Sequence, residues 1–220
     1  MSDVKTYAVL GLGIFGSAVA KTLARSGMDV IAIDSNMDAV ENAADVIPNA
    51  IQADCQDLKA LREAGCGNAE TAVVAMGSHL EDSIIAIMNL RELGVKQIIA
   101  KANNNRYRYV LERVGAAEVV EPEKEMGRRL AGTLLSPNVV DLSRLDESYS
   151  LLEVKAPKEW ISHSLKELEL RSRYGVNVIG IKRSGNGTMS ADFTGDTIIS
   201  ETDTLVVVAD MKKFSSLKLD

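Results

Sequence analysis

TYAVLGLGIFGSAVA, Thr6 to Ala20, runs from strand-forming residues through a glycine-punctuated turn into a helical pattern. Gly11, Gly13 and Gly16 fit G-x-G-x-x-G, placed directly after a strand and at the opening of a helix. The first glycine allows a tight turn, the second lets a phosphate approach the backbone, and the third lets helix and strand pack closely. The free amides of the helix's first turn, with the helix dipole behind them, would then face an anion. The same glycines would also suit a tight strand-to-helix turn with no ligand, so the motif needs its context.

Outward from this turn the chain keeps one rhythm. DVIAID (29–34), NAIQAD (49–54), TAVVAM (71–76), QIIAKA (97–102) and AEVVEP (117–122) read as further strands. Between them lie helical runs with apolar spacing near 3.6, such as Phe15, Val19 and Leu23, then Tyr107, Val110, Leu111 and Val114. Gly27, Gly65, Gly94 and Gly115 each fall just past a helical run, where a left-handed terminating residue is wanted. This alternation predicts an α/β fold with a Rossmann-like, doubly wound parallel sheet. After Pro122 a helix is expected to about Leu135, and SPNVVDLSRLDES (136–148) follows as a polar connector.

From Tyr149 the rhythm changes. YSLLEVKAP, VNVIGIKRSGNGTMSADF and DTLVVVAD read as strands around one short helix, SLKELELRSRYG, with SGNG (184–187) as a hairpin turn. The expected organisation is a nucleotide-binding domain over 1–135, a linker over 136–142 and a small, β-rich α+β domain over 143–220. That second domain is small enough to lean on a copy of itself for its core.

Composition narrows the partners. With 25 Lys+Arg against 31 Asp+Glu, the net charge of -6 repels a polyphosphate backbone and argues against nucleic acid. Two cysteines, Cys55 and Cys66, and two histidines, His79 and His163, show no metal-type spacing and no disulfide pattern, which suits a reducing cytoplasm. The apolar run from Tyr7 to Ala20 is interrupted by glycines and continues as an amphipathic helix, so it is not read as a secretory signal. No uninterrupted run reaches the roughly 20 apolar residues that spanning a bilayer requires. Any membrane role is therefore expected to act through a partner.

The strand ends supply the candidate site, because open parallel sheets bind ligands at the carboxyl edge. Asp34 closes the second strand about 20 residues past the glycines, where a carboxylate accepts from ribose hydroxyls and repels a 2′-phosphate. Capping of the next helix is the alternative role for Asp34, or Asn36 caps and Asp34 is merely exposed. Asp54 follows the third strand, Met76 and Gly77 the fourth, and Lys101 closes the fifth. Asp54 would read an adenine amino group and Lys101 a phosphate; each is otherwise a solvated loop charge. Ile14, Phe15, Ser35 and Cys55, beside these positions, complete the candidate set.

In order along the chain, YAVLGLGIFGSAVA, the AIDSN aspartate, ADCQD, VVAMG, IIAKA, VLERVGAAEVVEPEKEMGRRLA and LRSRYGVNVIGIKRSG resemble the RCK or KTN family. These are cytoplasmic regulators of bacterial potassium uptake of the Ktr and Trk type. The block from Gly115 to Gly127 is more discriminating than the glycines, and the resemblance covers nearly the whole chain. It implies a Rossmann-like domain that binds ATP, ADP or NAD and a smaller C-terminal domain. It also implies homo-oligomers, dimers assembling into rings, that dock on an integral membrane channel subunit at the inner face of the membrane.

By the same resemblance Glu123 would help coordinate a divalent cation near the phosphates at a dimer interface. Read from the residues alone, Glu121, Glu123 and Glu125 complement the positive end of a helix that starts at Pro122. Many Ktr-type members carry an arginine in the glycine loop, where this chain has Ile14. Isoleucine offers no charge-assisted hydrogen bond to an outer phosphate. Weaker discrimination between di- and triphosphate, or a preference for NAD or AMP, follows. The segment SLKELELRSRYGVNVIGIKR resembles the part of Ktr-type regulators that receives cyclic di-AMP between paired domains. Leu165, Arg171, Val176 and Asn177 would line that pocket, with Arg171 near a phosphate; its alternative role is a helix-end cation.

The rival class is a NAD-dependent oxidoreductase. Such an enzyme needs a group that moves a proton beside the nicotinamide. His163, ahead of the short helix, and His79, beside the fourth loop, are poor candidates, so binding without turnover is expected. Leu80, Ile84, Ile85, Ile87, Met88 and Leu90 spread apolar surface round most of one helix, which implies a second subunit against it or burial within the chain.

Overall fold

The computed structural model describes residues 4–77, 79–135, 138–146, 148–183 and 187–214. The chain divides into two compact units, Met1–Lys124 and Glu125–Asp220.

In the first unit β1 (Thr6–Leu10), α1 (Ile14–Arg25), β2 (Asp29–Asp34), α2 (Met37–Ala44), β3 (Asn49–Gln52) and α3 (Leu58–Glu63) form the first half. A short 3₁₀ turn leads to β4 (Thr71–Val74), α4 (Leu80–Glu92), β5 (Gln97–Lys101), α5 (Asn105–Val114) and β6 (Glu118–Val120). Every run read as a strand in this half of the sequence is one. The sheet order is β3-β2-β1-β4-β5-β6, with all pairs parallel. The order reverses between β1 and β4, which opens a crevice above their carboxyl ends.

Side chains alternate across the sheet with the strand period of two, and both faces are covered. Ala8, Leu10, Ile33, Val74 and Ile98 pack with Leu61, Ile87, Leu90 and Leu111 on one face. Val9, Val30, Ala32 and Val73 pack with Ala20, Val40 and Ala43 on the other. Each fully buried Leu or Ile contributes about 1.5–3 kcal/mol. Gly115 ends α5 in the left-handed region at φ +114, as its position past a helical run predicts.

On α4, Ile87 and Leu90 are buried and Leu80 and Ile84 pack at the edge of the core. Ile85 and Met88 are left 38% and 57% exposed, so part of the helix's apolar surface is unclaimed by its own unit.

α6 (Pro122–Leu135) begins in the first unit and continues past the division between them. The second unit contains β7 (Val139–Arg144), β8 (Tyr149–Lys155), α7 (Leu165–Leu168), α8 (Leu170–Tyr174), β9 (Val176–Lys182), β10 (Met189–Ser190), β11 (Thr204–Asp210) and α9 (Met211–Phe214). Its sheet runs β10-β9-β11-β8-β7, antiparallel throughout. Leu152, Val154, Leu205 and Val207 close a separate core with Trp160, Leu168, Leu170 and Phe214.

Two expectations need correction. The polar connector is structured: Val139–Arg144 adds a strand to β8, because pairing with an existing strand outweighs weak local propensity. The single short helix is two, broken at Glu169, whose φ of +44 no continuous helix accepts. Of the expected SGNG turn, Ser184, Gly185 and Asn186 lie outside the described residues.

Candidate nucleotide site

The crevice at the reversal point encloses about 440 Å³, within the size range of small-molecule sites. Gly11, at φ +92, turns the chain out of β1 beneath Met76; a Cβ on it would lie 2.9 Å from the Met76 Cγ. Gly16 seats α1 against that turn so closely that a Cβ would fall 1.9 Å from the Gly11 carbonyl oxygen. Gly13, the residue before α1, differs: a Cβ there would meet nothing within 4 Å. Its missing side chain therefore serves no internal packing. The first turn of α1 carries no acidic residue and no side-chain cap, which leaves its amide donors to an incoming anion.

Asp34 holds this loop in place. Its Oδ2 accepts from the Leu12 amide at 2.6 Å and its Oδ1 from the Asn36 amide at 2.8 Å. Each oxygen keeps a lone pair for a ribose hydroxyl. Capping of α2 falls to Asn36, whose Oδ1 accepts from the Asp38 amide at 2.9 Å. Asp54 similarly accepts from the Gln56 amide at 2.8 Å.

Gly11, Gly13, Asp34, Ser35, Asp54, Cys55, Met76 and Gly77 all line the crevice. Ile14 stands at the start of α1, 97% exposed, and Phe15 packs into the core beneath α1. Lys101 lies at the rim: a Cβ on Gly77 would come within 3.4 Å of its Nζ. Asn103 donates from Nδ2 to the Gly77 carbonyl and ties the loops after β4 and β5 together.

Gln56, Ala75, His79 and Asp82 also line the crevice, and the sequence did not single them out for it. Asp82 and His79 come in because α4 starts over the crevice, with their side chains 3.7 Å apart. Asn89 of α4 donates to the Gln56 carbonyl at 2.8 Å and fixes that placement. A polar pair one turn apart after β4 was the available signal.

Cys55 is buried in the crevice floor, and burial, then Asp34 and Asp54, push its thiol up to about 12. It stays protonated at neutral pH and is a poor nucleophile. Glu123 donates nothing and accepts from Lys101 Nζ at 2.5 Å, which holds its carboxyl below the usual carboxylate range. Burial alone would raise Glu121, but hydrogen bonds from Lys124 and Arg108 outweigh it and lower it.

The crevice fits an adenine nucleotide: an open glycine, free amides and a carboxylate with spare lone pairs lie along one edge. One chain by itself does not group the side chains for the divalent cation that the resemblance places at a dimer interface. Among the described residues no three His, Cys, Asp or Glu side chains are grouped to hold a metal ion, and Glu123 is already paired with a lysine.

The second unit has a larger, more open pocket of about 850 Å³. Leu165 on α7, Arg171 on α8, and Val176 and Asn177 on β9 all line it, so the four residues named from sequence share one surface. Among the described residues Lys166 and Lys213 join Arg171 there against one carboxylate, Glu169, giving the pocket a positive balance.

A six-stranded parallel sheet in this order, with a glycine turn over β1 and a carboxylate closing β2, defines the Rossmann-like class of folds. Comparison with known proteins is narrower. Residues 7–122 match the TrkA-N domain and residues 150–218 the TrkA-C domain. The chain belongs to this TrkA-type, or RCK, family, as the resemblance in its sequence implied. Ktr system potassium uptake protein C of Bacillus subtilis (strain 168) is 35% identical over 211 residues, 96% of this chain and 95% of that protein. Ktr system potassium uptake protein A of the same organism is 34% identical over 215 residues, 96% of each. The GsuK channel bound to NAD has the same fold at a TM-score of 0.65 and 15% identity, over 99% of this chain and 39% of that one.

Proposed function

We propose that this chain is a regulatory, non-catalytic subunit of a potassium-uptake system, which binds an adenine nucleotide in the first unit and gates an integral membrane pore subunit. The observation that carries the reading is Gly13: the glycine is open to the crevice and needed by no neighbour. The Ktr names of relatives that match end to end supply the process, and a likeness of fold to an NAD-bound channel is consistent with the ligand. The subunit acts from the cytoplasmic face as a homo-oligomer, a dimer that assembles into a ring, with the exposed Ile85 and Met88 of α4 at a subunit contact.

The nucleotide works by binding two ring geometries unequally, which shifts their populations. The crevice thiol, Cys55, stays protonated at neutral pH and is a poor nucleophile, which supports binding without turnover. Cyclic di-AMP is the ligand we assign to the second unit's pocket, on the strength of its apolar walls, Arg171 and its positive balance.

The test is reconstitution with a Ktr-type pore subunit in potassium-loaded vesicles. Added ATP, ADP or NAD should change the flux only when this chain is present, and NADH should not be consumed with carbonyl substrates. Sustained NADH turnover, or failure of pore-containing membranes to retain the chain, would overturn the reading.

A further inference from the structure

We infer that Glu123 competes with the nucleotide's outer phosphates for Lys101, and so limits polyphosphate affinity instead of ligating a cation. This deepens the nucleotide reading above and rests on it.

Among the described residues the crevice is lined by three carboxylates, Asp34, Asp54 and Asp82, and by one imidazole, His79, with no lysine or arginine. Ile14 adds no charge at the lip. The amides of α1 are the main attraction offered to a phosphate along β1, and Lys101 is the ammonium set beside Gly77 at the β4–β5 rim. Its side chain is only 14% exposed, so its reach is fixed by its surroundings.

That ammonium is not idle. It donates to Glu123 Oε1 at 2.5 Å, from a carboxylate that is otherwise 66% exposed and stands in the first turn of α6. A phosphate oxygen arriving at Gly77 meets a lysine that already has an anionic partner. Exchanging one anion for the other returns less net energy than meeting a free ammonium, because the outgoing pair must be broken first. Glu123 therefore subtracts from the gain that each outer phosphate brings. Capture of Lys101 would also free one tie at the start of α6, leaving the Arg108–Glu121–Lys124 ion pairs to hold it.

Calorimetry of adenosine, ADP and ATP against the intact protein, with and without magnesium chloride, tests this. Glu123→Gln should tighten ADP and ATP by roughly 2- to 5-fold, the range of an exposed ion pair, and leave adenosine unchanged. In a Lys101→Met background the same change should have no effect, since the two act as a pair. Weaker ATP binding by Glu123→Gln only when magnesium is present would make Glu123 a cation ligand and overturn the inference. Unchanged affinity for all three compounds would overturn it as well. Failure of the wild type to bind any of them would remove the nucleotide reading beneath it, an outcome distinct from both.

Discussion

At the scale of single residues, two glycines in one motif have opposite physical duties. Gly16→Ala places a Cβ 1.9 Å from a backbone oxygen, and overpacking of this kind costs about 2 kcal/mol or more. Gly13→Ala meets open space and should alter stability by less than about 1 kcal/mol. Thermal unfolding of the two variants should therefore separate them clearly. The thiols give a second test: Cys55 and Cys66, pushed up to about 12 and about 11, should resist iodoacetamide at neutral pH until the chain is unfolded. The glycines and Asp34 were legible because their spacing follows from the backbone of a strand-turn-helix unit. His79 and Asp82 were not, because their part depends on the direction in which α4 leaves β4. The Lys101–Glu123 pair joins residues 22 apart in sequence across two strand ends, which no local pattern reports.

At the scale of elements, the six parallel strands could be read because each is apolar on both faces and bounded by turn residues. β7 could not, since its pattern is mixed and its existence depends on the edge that β8 offers. The break between α7 and α8 was hidden for a similar reason: LKELELRSRY has an unbroken helical period, yet the backbone reverses hand at Glu169. Glu169→Gly should stabilise the second unit by about 1 kcal/mol by removing the cost of a left-handed non-glycine residue. α7 starts with a capping box, in which the Glu167 amide donates to Ser164 Oγ at 3.2 Å and Glu167 Oε2 accepts from the Ser164 amide at 2.8 Å. These hydrogen bonds from Ser164 lower the Glu167 carboxyl from its usual 4.5. A depressed carboxylate contributes stability that is present above the unfolded value and is lost as pH falls through the folded one. Ser164→Ala should cost about 1 kcal/mol through the lost cap on the Glu167 amide. The Glu167 contribution, held first by the Ser164 amide that alanine keeps, should fade in both proteins as pH falls below about 4.5, measurable by denaturant midpoints.

At the scale of the whole molecule, two units with separate cores each carry a pocket of ligand size. Under the function proposed above, the two pockets would read two signals and the protein would answer with a change of geometry. Subunit contacts would transmit that answer, and Met88→Asp on the exposed side of α4 should shift sedimentation toward smaller species while leaving the monomer fold intact. Sequence showed the two-part organisation through a change of rhythm near Tyr149. It could not show where the parts divide, because α6 is one continuous helix across Lys124 and Glu125.

The most direct measurement is calorimetry of ADP and NAD against the wild type and Gly13→Ala, two proteins of near-equal stability. The Cβ of the variant would project into the open crevice and hold the phosphate off the glycine-turn amides; weakening a charge-assisted hydrogen bond worth about 1.5–3 kcal/mol predicts affinity lower by roughly tenfold or more. Equal affinity in both, or no binding in either, would contradict a nucleotide seated over the glycine turn.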